Sequence, residues 1–497
     1  MAEEGRVLLY EKKSVMKSED WWAVWLGCFV FLLGLGPIFN LDLLGWVVKT
    51  PVWIEFSKCV GPISDGYKGM SGLTSSLLTF IFFLAFTTVG IVGMGGNVKK
   101  YIIGFTIIYW IVFFCMVFGN NAYIAATPDK RAAFKIAWSL GLGEMGFIFA
   151  MIIGLIIGNF ILPLARFLED AAKPEWFIKT GIVILGAAIG IKTVEAAGLA
   201  GTVIFRGICA VVEAYLIYWP VVYFIARKWF KFTPEWAAPL ASGISICGVS
   251  AAIATGAAIR SRPVVPVILS AVIIVFVAVE LLLLPPLASS LLYKEPMVAG
   301  AWMGLAVKSD GGAVASGQLV DTLIVNKAAI LLNIKWEKGW MLMAATTTKI
   351  FIDVFIGVWA FLLAVIWTVF QIDTRTAASA EGSGGKVSAM EIWNRFPKFV
   401  IGFTATFLVL LMIGLIYPGA VKGAKTGADH ANLLRTLFFA LCFFSIGLVT
   451  NVRKLWAEGM GRIVLVYAVA LFGFILWVGL FISWLFYHGI TPPVVQG

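Results

Sequence analysis

Three short stretches hold the residue types able to do chemistry in this chain. In SGISICGVSAAIATG, residues 242–256, Ser242, Ser245, Cys247 and Ser250 surround Gly248, while runs of Val, Ile, Leu and Phe lie on both sides. A break in a membrane helix frees backbone N–H and C=O groups, which survive only beside protein or a water-lined cavity. A helix resuming after Gly248 turns its first amides and the positive end of its dipole, with the hydroxyls of Ser245 and Ser250, toward an anion. Close helix packing is the competing reading, because small residues let backbones approach.

The second stretch, GAWMGLAVKSDGGAVASGQL (300–319), interrupts an apolar run with Lys308, Ser309, Asp310, Gly311 and Gly312. Charges within a span pair with one another or face a cavity, and mark a functional site; the alternative is a turn at the membrane interface. In the third, TTTKIFIDVFIGVWAF (346–361), Lys349 and Asp353 are four apart and share a helix face. Either they neutralise each other, or Lys349 turns to an anion while Asp353 exchanges a coupling cation. Glu144, Glu213 and Glu280 are lone acids at or within spans, each a proton carrier or a structural hydrogen-bonding group.

The elements that must position these residues follow from composition. The chain is 497 residues long, 61% hydrophobic and only 13% charged, with a mean hydropathy of +0.95. No soluble core hides that much apolar surface, so the solvent is the lipid bilayer. Runs of about 20 apolar residues, the length that crosses ~30 Å of hydrocarbon as helix, predict an all-α polytopic membrane protein. The thirteen predicted spans are 21–41, 70–96, 101–123, 142–165, 175–193, 200–227, 236–260, 264–291, 296–320, 340–370, 396–417, 432–450 and 461–488. Segments 46–62 and 331–340 read as interfacial pieces. Residues 371–395, rich in Ser, Gly and Ala, read as a flexible loop, and residues 1–20 as a cytoplasmic tail without a signal-peptide core.

The net charge of +11 comes from Lys and Arg flanking the spans, which speaks for interfacial anchoring and against a nucleic-acid partner. Six scattered Cys without a CxxC pair indicate neither a disulfide framework nor a metal site, and two His leave imidazole chemistry little material. Motifs for serine hydrolysis, zinc proteolysis, nucleotide phosphates and dinucleotides are missing from suitable contexts. The expectation is therefore no enzyme and no cofactor, with an ion gradient, H+ or Na+, as the energy source.

The spans divide into three leading helices (21–123) and two groups of five (142–291 and 296–488), and an odd-numbered repeat inserts in opposite orientations. Each five has a Gly-rich fourth span: GISICGVSAAIATG in the first, FFALCFFSIGLVTNVRK in the second.

IIGNFILP, FIKTGIVILGAAIGIKTVEAAGLAG, ISICGVSAAIAT, GAWMGLAVKSDGGAVASGQL, the region of TTTKI, FPKFVIGF and FFALCFFSIGLVTNVRKL resemble, in this order, the YeiH-type family of sulfate exporters. The resemblance implies two inverted five-helix repeats, related to the bile-acid-symporter fold, with a core moving against a scaffold. It also implies crossed, interrupted helices at 236–260 and 432–450, placing Ser245, Cys247, Gly248 and Ser250 opposite Ser445, Ile446 and Gly447. The family often carries a His and an acid where this chain has Lys308, Ser309 and Asp310, and a basic residue where it has Ile352 and Asp353.

The expected function is secondary, elevator-type transport of a small anion, sulfate or sulfite first, in a bacterial inner membrane. The substrate site is Ser242, Ser245, Cys247, Gly248, Ser250, Lys308, Ser309, Gly311, Ser445 and Gly447; the coupling residues are Asp310, Lys349, Asp353 and Glu280. The leading helices are expected to extend the scaffold, make a homo-oligomer contact or receive a partner. The alternatives are a cation/proton antiporter, which calls for a buried acidic pair beside the break, and a non-transporting membrane sensor or scaffold.

Overall fold

The computed structural model describes residues 15–126, 131, 133–140, 145–195, 197–259, 261–262, 264–370, 393, 397–450 and 460–495. Glu144, almost all of the 371–395 loop and most of the 1–20 tail lie outside the described residues. The chain is an all-α polytopic membrane protein. Among the described residues eleven helices are long and apolar enough to cross a bilayer, or twelve if Met145–Phe160 and Leu162–Leu168, bent by 116°, form one span. A two-residue hairpin pairs Val48–Lys49 with Gly61–Pro62 within the stretch predicted to be interfacial.

In chain order the helices are α1 (Glu19–Gly34), α2 (Gly72–Met94), α3 (Val98–Gly119), α4 (Met145–Phe160), α5 (Leu162–Leu168), α6 (Pro174–Glu195), α7 (Gly198–Trp229), α8 (Pro234–Ser245) and α9 (Val249–Ala258). There follow α10 (Val264–Leu291), α11 (Pro296–Ala306), α12 (Asp310–Leu331), α13 (Trp340–Val354), α14 (Ile356–Val369), α15 (Lys398–Ile416), α16 (Val421–Val449) and α17 (Gly461–Tyr487). The predicted seventh crossing, 236–260, is two half-helices of 12 and 10 residues. At ~1.5 Å per residue neither reaches across ~30 Å of hydrocarbon alone.

Two helix groups pack internally. One joins α1, α3, α4, α6, α15 and α16; the other joins α7 to α14 and α17. Both halves of the chain contribute to both groups. Glycine makes the close approaches: a Cβ on Gly154 or Gly158 of α4 would strike the backbone of α16 at Phe444 and Leu448. The leading helix α1 is tied to α6 by Asp20, 2.9 Å from the Lys179 ammonium, which also lies 3.7 Å from Glu175.

The second interruption is not where the resemblance implies. Residues 432–449 belong to α16, one continuous helix of 29 residues, and Thr450 follows its end. Ser445 donates to the Leu441 carbonyl one turn back (2.7 Å), and Gly447 is pressed against the α4 backbone at Met151 and Leu155. Small residues there serve helix packing rather than a break. The second break lies at 307–309, inside the predicted span 296–320, between α11 and α12.

The helix carrying Lys349 and Asp353 is fixed at its start by a buried carboxylate. Asp321 accepts from the Gly339 N–H (2.7 Å) and the Met341 N–H (3.0 Å), satisfying amides that open α13. Asp321→Ala leaves both donors unpaired. It is expected to cost about 2–3 kcal/mol in unfolding measured in detergent micelles, with Asp321→Asn losing less.

Candidate functional site

At the first break the chain turns through Ile246 (φ −106°, ψ −93°) and Gly248 (φ +72°). The Gly248 N–H donates to the Gly243 carbonyl (3.1 Å), closing α8 with a left-handed residue that glycine adopts without strain. At the second break Val307 and Ser309 are extended, and the Ser309 hydroxyl caps α12 by accepting from the Gly312 N–H (2.8 Å). The two breaks touch, since a Cβ on Gly248 would collide with the Lys308 carbonyl.

Each break ends a half-helix in free carbonyls, and a lysine meets each of them. The Lys349 ammonium donates to the Ile246 carbonyl (2.6 Å), and that of Lys308 to the Leu305 carbonyl. Cations suit these ends because the helix dipole is negative there. The Lys308 ammonium also lies 4.4 Å over the Tyr218 ring, and its backbone N–H donates to Glu280 (3.0 Å). The other Glu280 oxygen accepts from the Tyr467 hydroxyl (3.4 Å). Glu213 sits with Tyr215 and Tyr218 in a π-helical turn, Val212–Tyr218, with its buried carboxylate beside the Tyr218 hydroxyl.

The charges therefore form two buried sets, each with one lysine and two acids. Lys308 lies with Glu213 and Glu280; Lys349 lies with Asp310 and Asp353. The predicted one-face pairing of Lys349 with Asp353 gives way to a contact across elements: the Lys349 ion-pair partner is Asp310, at 4.0 Å. Asp310 and Asp353 each bring a carboxylate oxygen within 4.8 Å of the other and of the Cys247 thiol. The buried acidic pair that the sequence did not disclose is thus present beside the break. Two carboxylates in so dry a place are stable only if they share a proton or face positive charge, of which Lys349 supplies one unit.

The remaining predicted residues separate by partner. Ser242 is a structural clasp: its hydroxyl accepts from the Trp219 indole (2.9 Å) and the Thr255 hydroxyl (2.7 Å), joining α8 to α9 and α7. Ser245 is fully buried and its hydroxyl has no hydrogen-bond partner among the described residues. Ser250, half-buried, lies in the first turn of α9. Gly311 lets α12 approach α6, where a Cβ would lie 2.8 Å from Ile178, so the site sits where the two helix groups meet. Ser445 and Gly447 make the contacts with α16 and α4 given above. Tyr218, Tyr467 and Trp219 escaped the sequence reading because aromatic residues fill every span of this chain and carry no distinguishing spacing.

A family model described as Conserved hypothetical protein 698 matches residues 144–466, leaving the three leading helices outside it. A UPF0324 membrane protein of Nitrosomonas europaea is 40% identical over 483 residues, covering 96% of this chain and 97% of its own length. An uncharacterized protein of Archaeoglobus fulgidus is 45% identical over 173 residues, 31% of this chain and 88% of its own. A UPF0324 membrane protein of Nitratidesulfovibrio vulgaris is 28% identical over 420 residues, 82% of this chain and 63% of its own. No solved structure matches the chain.

Proposed function

The chain belongs to the UPF0324 family of membrane proteins, and on that footing we propose that it is a secondary active transporter of a small oxyanion. The observation carrying this reading is the contact of two broken helices inside the apolar part of the fold, with buried charge at both. Unpaired helix ends are tolerated at membrane depth where they serve a ligand or an ion. The anion is assigned to the start of α9, where first-turn amides lack intrahelical partners and the buried Ser245 hydroxyl has none. Lys308 and Lys349 supply positive charge nearby, and Asp310, Asp353 and Glu280 hold the coupling cation, H+ or Na+. Sulfate and sulfite are the first substrates to test, on the YeiH-type resemblance, in a bacterial inner membrane. A site at the seam of two helix groups suits elevator-type movement of one group against the other, and the exposed face of α2, from Leu73 to Val92, is a surface for a second copy.

Counterflow of labelled sulfate, sulfite and sulfonates in proteoliposomes tests the substrate, and an imposed gradient of pH or sodium tests the coupling. Ser245→Ala is the cleanest variant because the hydroxyl it removes makes no hydrogen bond in the fold. Its melting temperature should match the parent, while flux falls on the order of ten-fold or more, the loss of one hydrogen bond to a charged ligand. Undiminished flux removes Ser245 from the site.

The Asp310–Asp353 pair favours a second reading, a cation/proton antiporter. Labelled sodium moving against an imposed pH gradient without any anion would displace the first reading in its favour.

A further inference from the structure

Cys247, Asp310 and Asp353 come from three places in the chain: the first break, the first residue of α12 and the last turn of α13. All three are buried and their ligand atoms lie within 4.8 Å of one another. Among the described residues no hydrogen-bond partner outside the pair satisfies either Asp353 oxygen or Asp310 Oδ1, so the rest of the fold does not fill the place between them. The nearest cation, Lys349, is held to the Ile246 carbonyl at 2.6 Å and stays 4.0 Å from Asp310.

We propose that these three side chains form a binding site for one divalent transition-metal ion of the zinc class, which fastens both helix breaks to α13. A tetrahedral zinc ion with bonds of ~2.0–2.3 Å needs ligand atoms ~3.3–3.6 Å apart, a spacing reached by small side-chain rotations. The charge balances: on binding, the thiol gives its proton to water, and two carboxylates and one thiolate are offset by the divalent ion and the Lys349 ammonium. The thiolate sets the metal class, because magnesium, calcium and sodium take all-oxygen sites while zinc, cobalt and cadmium accept sulfur. Three protein ligands leave a fourth position for water or a bound anion. Binding stands apart from the transport reading; only its consequence rests on that reading, namely that a metal bridging both breaks holds the site shut and slows flux.

The test uses the full chain in detergent micelles, stripped with a chelator and titrated with Co2+ and Zn2+. The expected result is about one metal per chain, a thiolate-to-cobalt charge-transfer band, and a melting temperature raised by Zn2+ but not by Mg2+ or Ca2+. Cys247→Ser and Asp353→Asn should each weaken binding on the order of ten-fold or more, while Cys442→Ser, a buried thiol on α16, keeps both the band and the affinity. Absence of the band in the parent chain, or its persistence in Cys247→Ser, overturns the proposal. Should Cys247→Ser fail to fold, the parent's melting shift decides: equal shifts with Zn2+ and Mg2+, or none with either, overturn it as well. Metal binding in a protein that moves none of sulfate, sulfite and the sulfonates would sink the transporter and leave this site standing.

Discussion

Lys349→Met is expected to unfold about 3–5 kcal/mol more easily than the parent chain and to carry no flux. The ammonium is almost fully buried (1% exposed), and its removal takes away the donor on the Ile246 carbonyl and the charge 4.0 Å from Asp310. What remains is a half-helix end without its cap and two facing carboxylates without a counter-charge, the most costly way to break a buried pair. Asp310→Asn added to Lys349→Met removes one of the stranded charges. The double variant should recover much of the lost stability, and a cycle of the four proteins in denaturant should show strong coupling. Additive losses would mean that Lys349 and Asp310 do not act as one charge set.

Gly248→Val should be the most damaging single change at the breaks. At φ +72° a side chain costs about 1–2 kcal/mol from its backbone alone. The added Cβ would then meet the Lys308 carbonyl, a backbone atom that cannot rotate away, adding about 1–3 kcal/mol of overpacking. Gly243→Ala is the comparison, because its Cβ would meet the tip of the Ile273 side chain at 2.7 Å and Ile273 can give. Folding yield and melting temperature should therefore fall steeply for Gly248→Val and little for Gly243→Ala; equal losses would show that contact between the breaks is not what demands glycine at 248.

Much of this architecture was legible residue by residue. Hydropathy located spans such as 70–96, 200–227 and 396–417 within a few residues of α2, α7 and α15, because lipid solvation acts on each segment separately. The span 296–320, however, stopped short of the end of α12 at Leu331, and 432–450 missed the start of α16 at Val421. The SGISICGVS break was readable too, since so many small polar residues have no other use in lipid than a break or a close crossing. That same ambiguity misplaced its partner. Ser445 and Gly447 look like break residues by type, yet Gly447 serves the α4 crossing and the second break lies at 307–309, where KSDGG announced a polar interruption without revealing what it touches.

What the sequence determined by itself is a many-span helical membrane protein with costly charges at Lys308, Asp310, Lys349 and Asp353, and at Gly248 either a fracture or a close crossing. Only the tertiary structure decided that the two fractures meet, that each lysine caps a half-helix, and that Cys247, Asp310 and Asp353 share one place. The physical reason is range: solvation and helix formation are summed over neighbours in the chain, whereas a charge inside a membrane is settled by whichever distant segment folds against it.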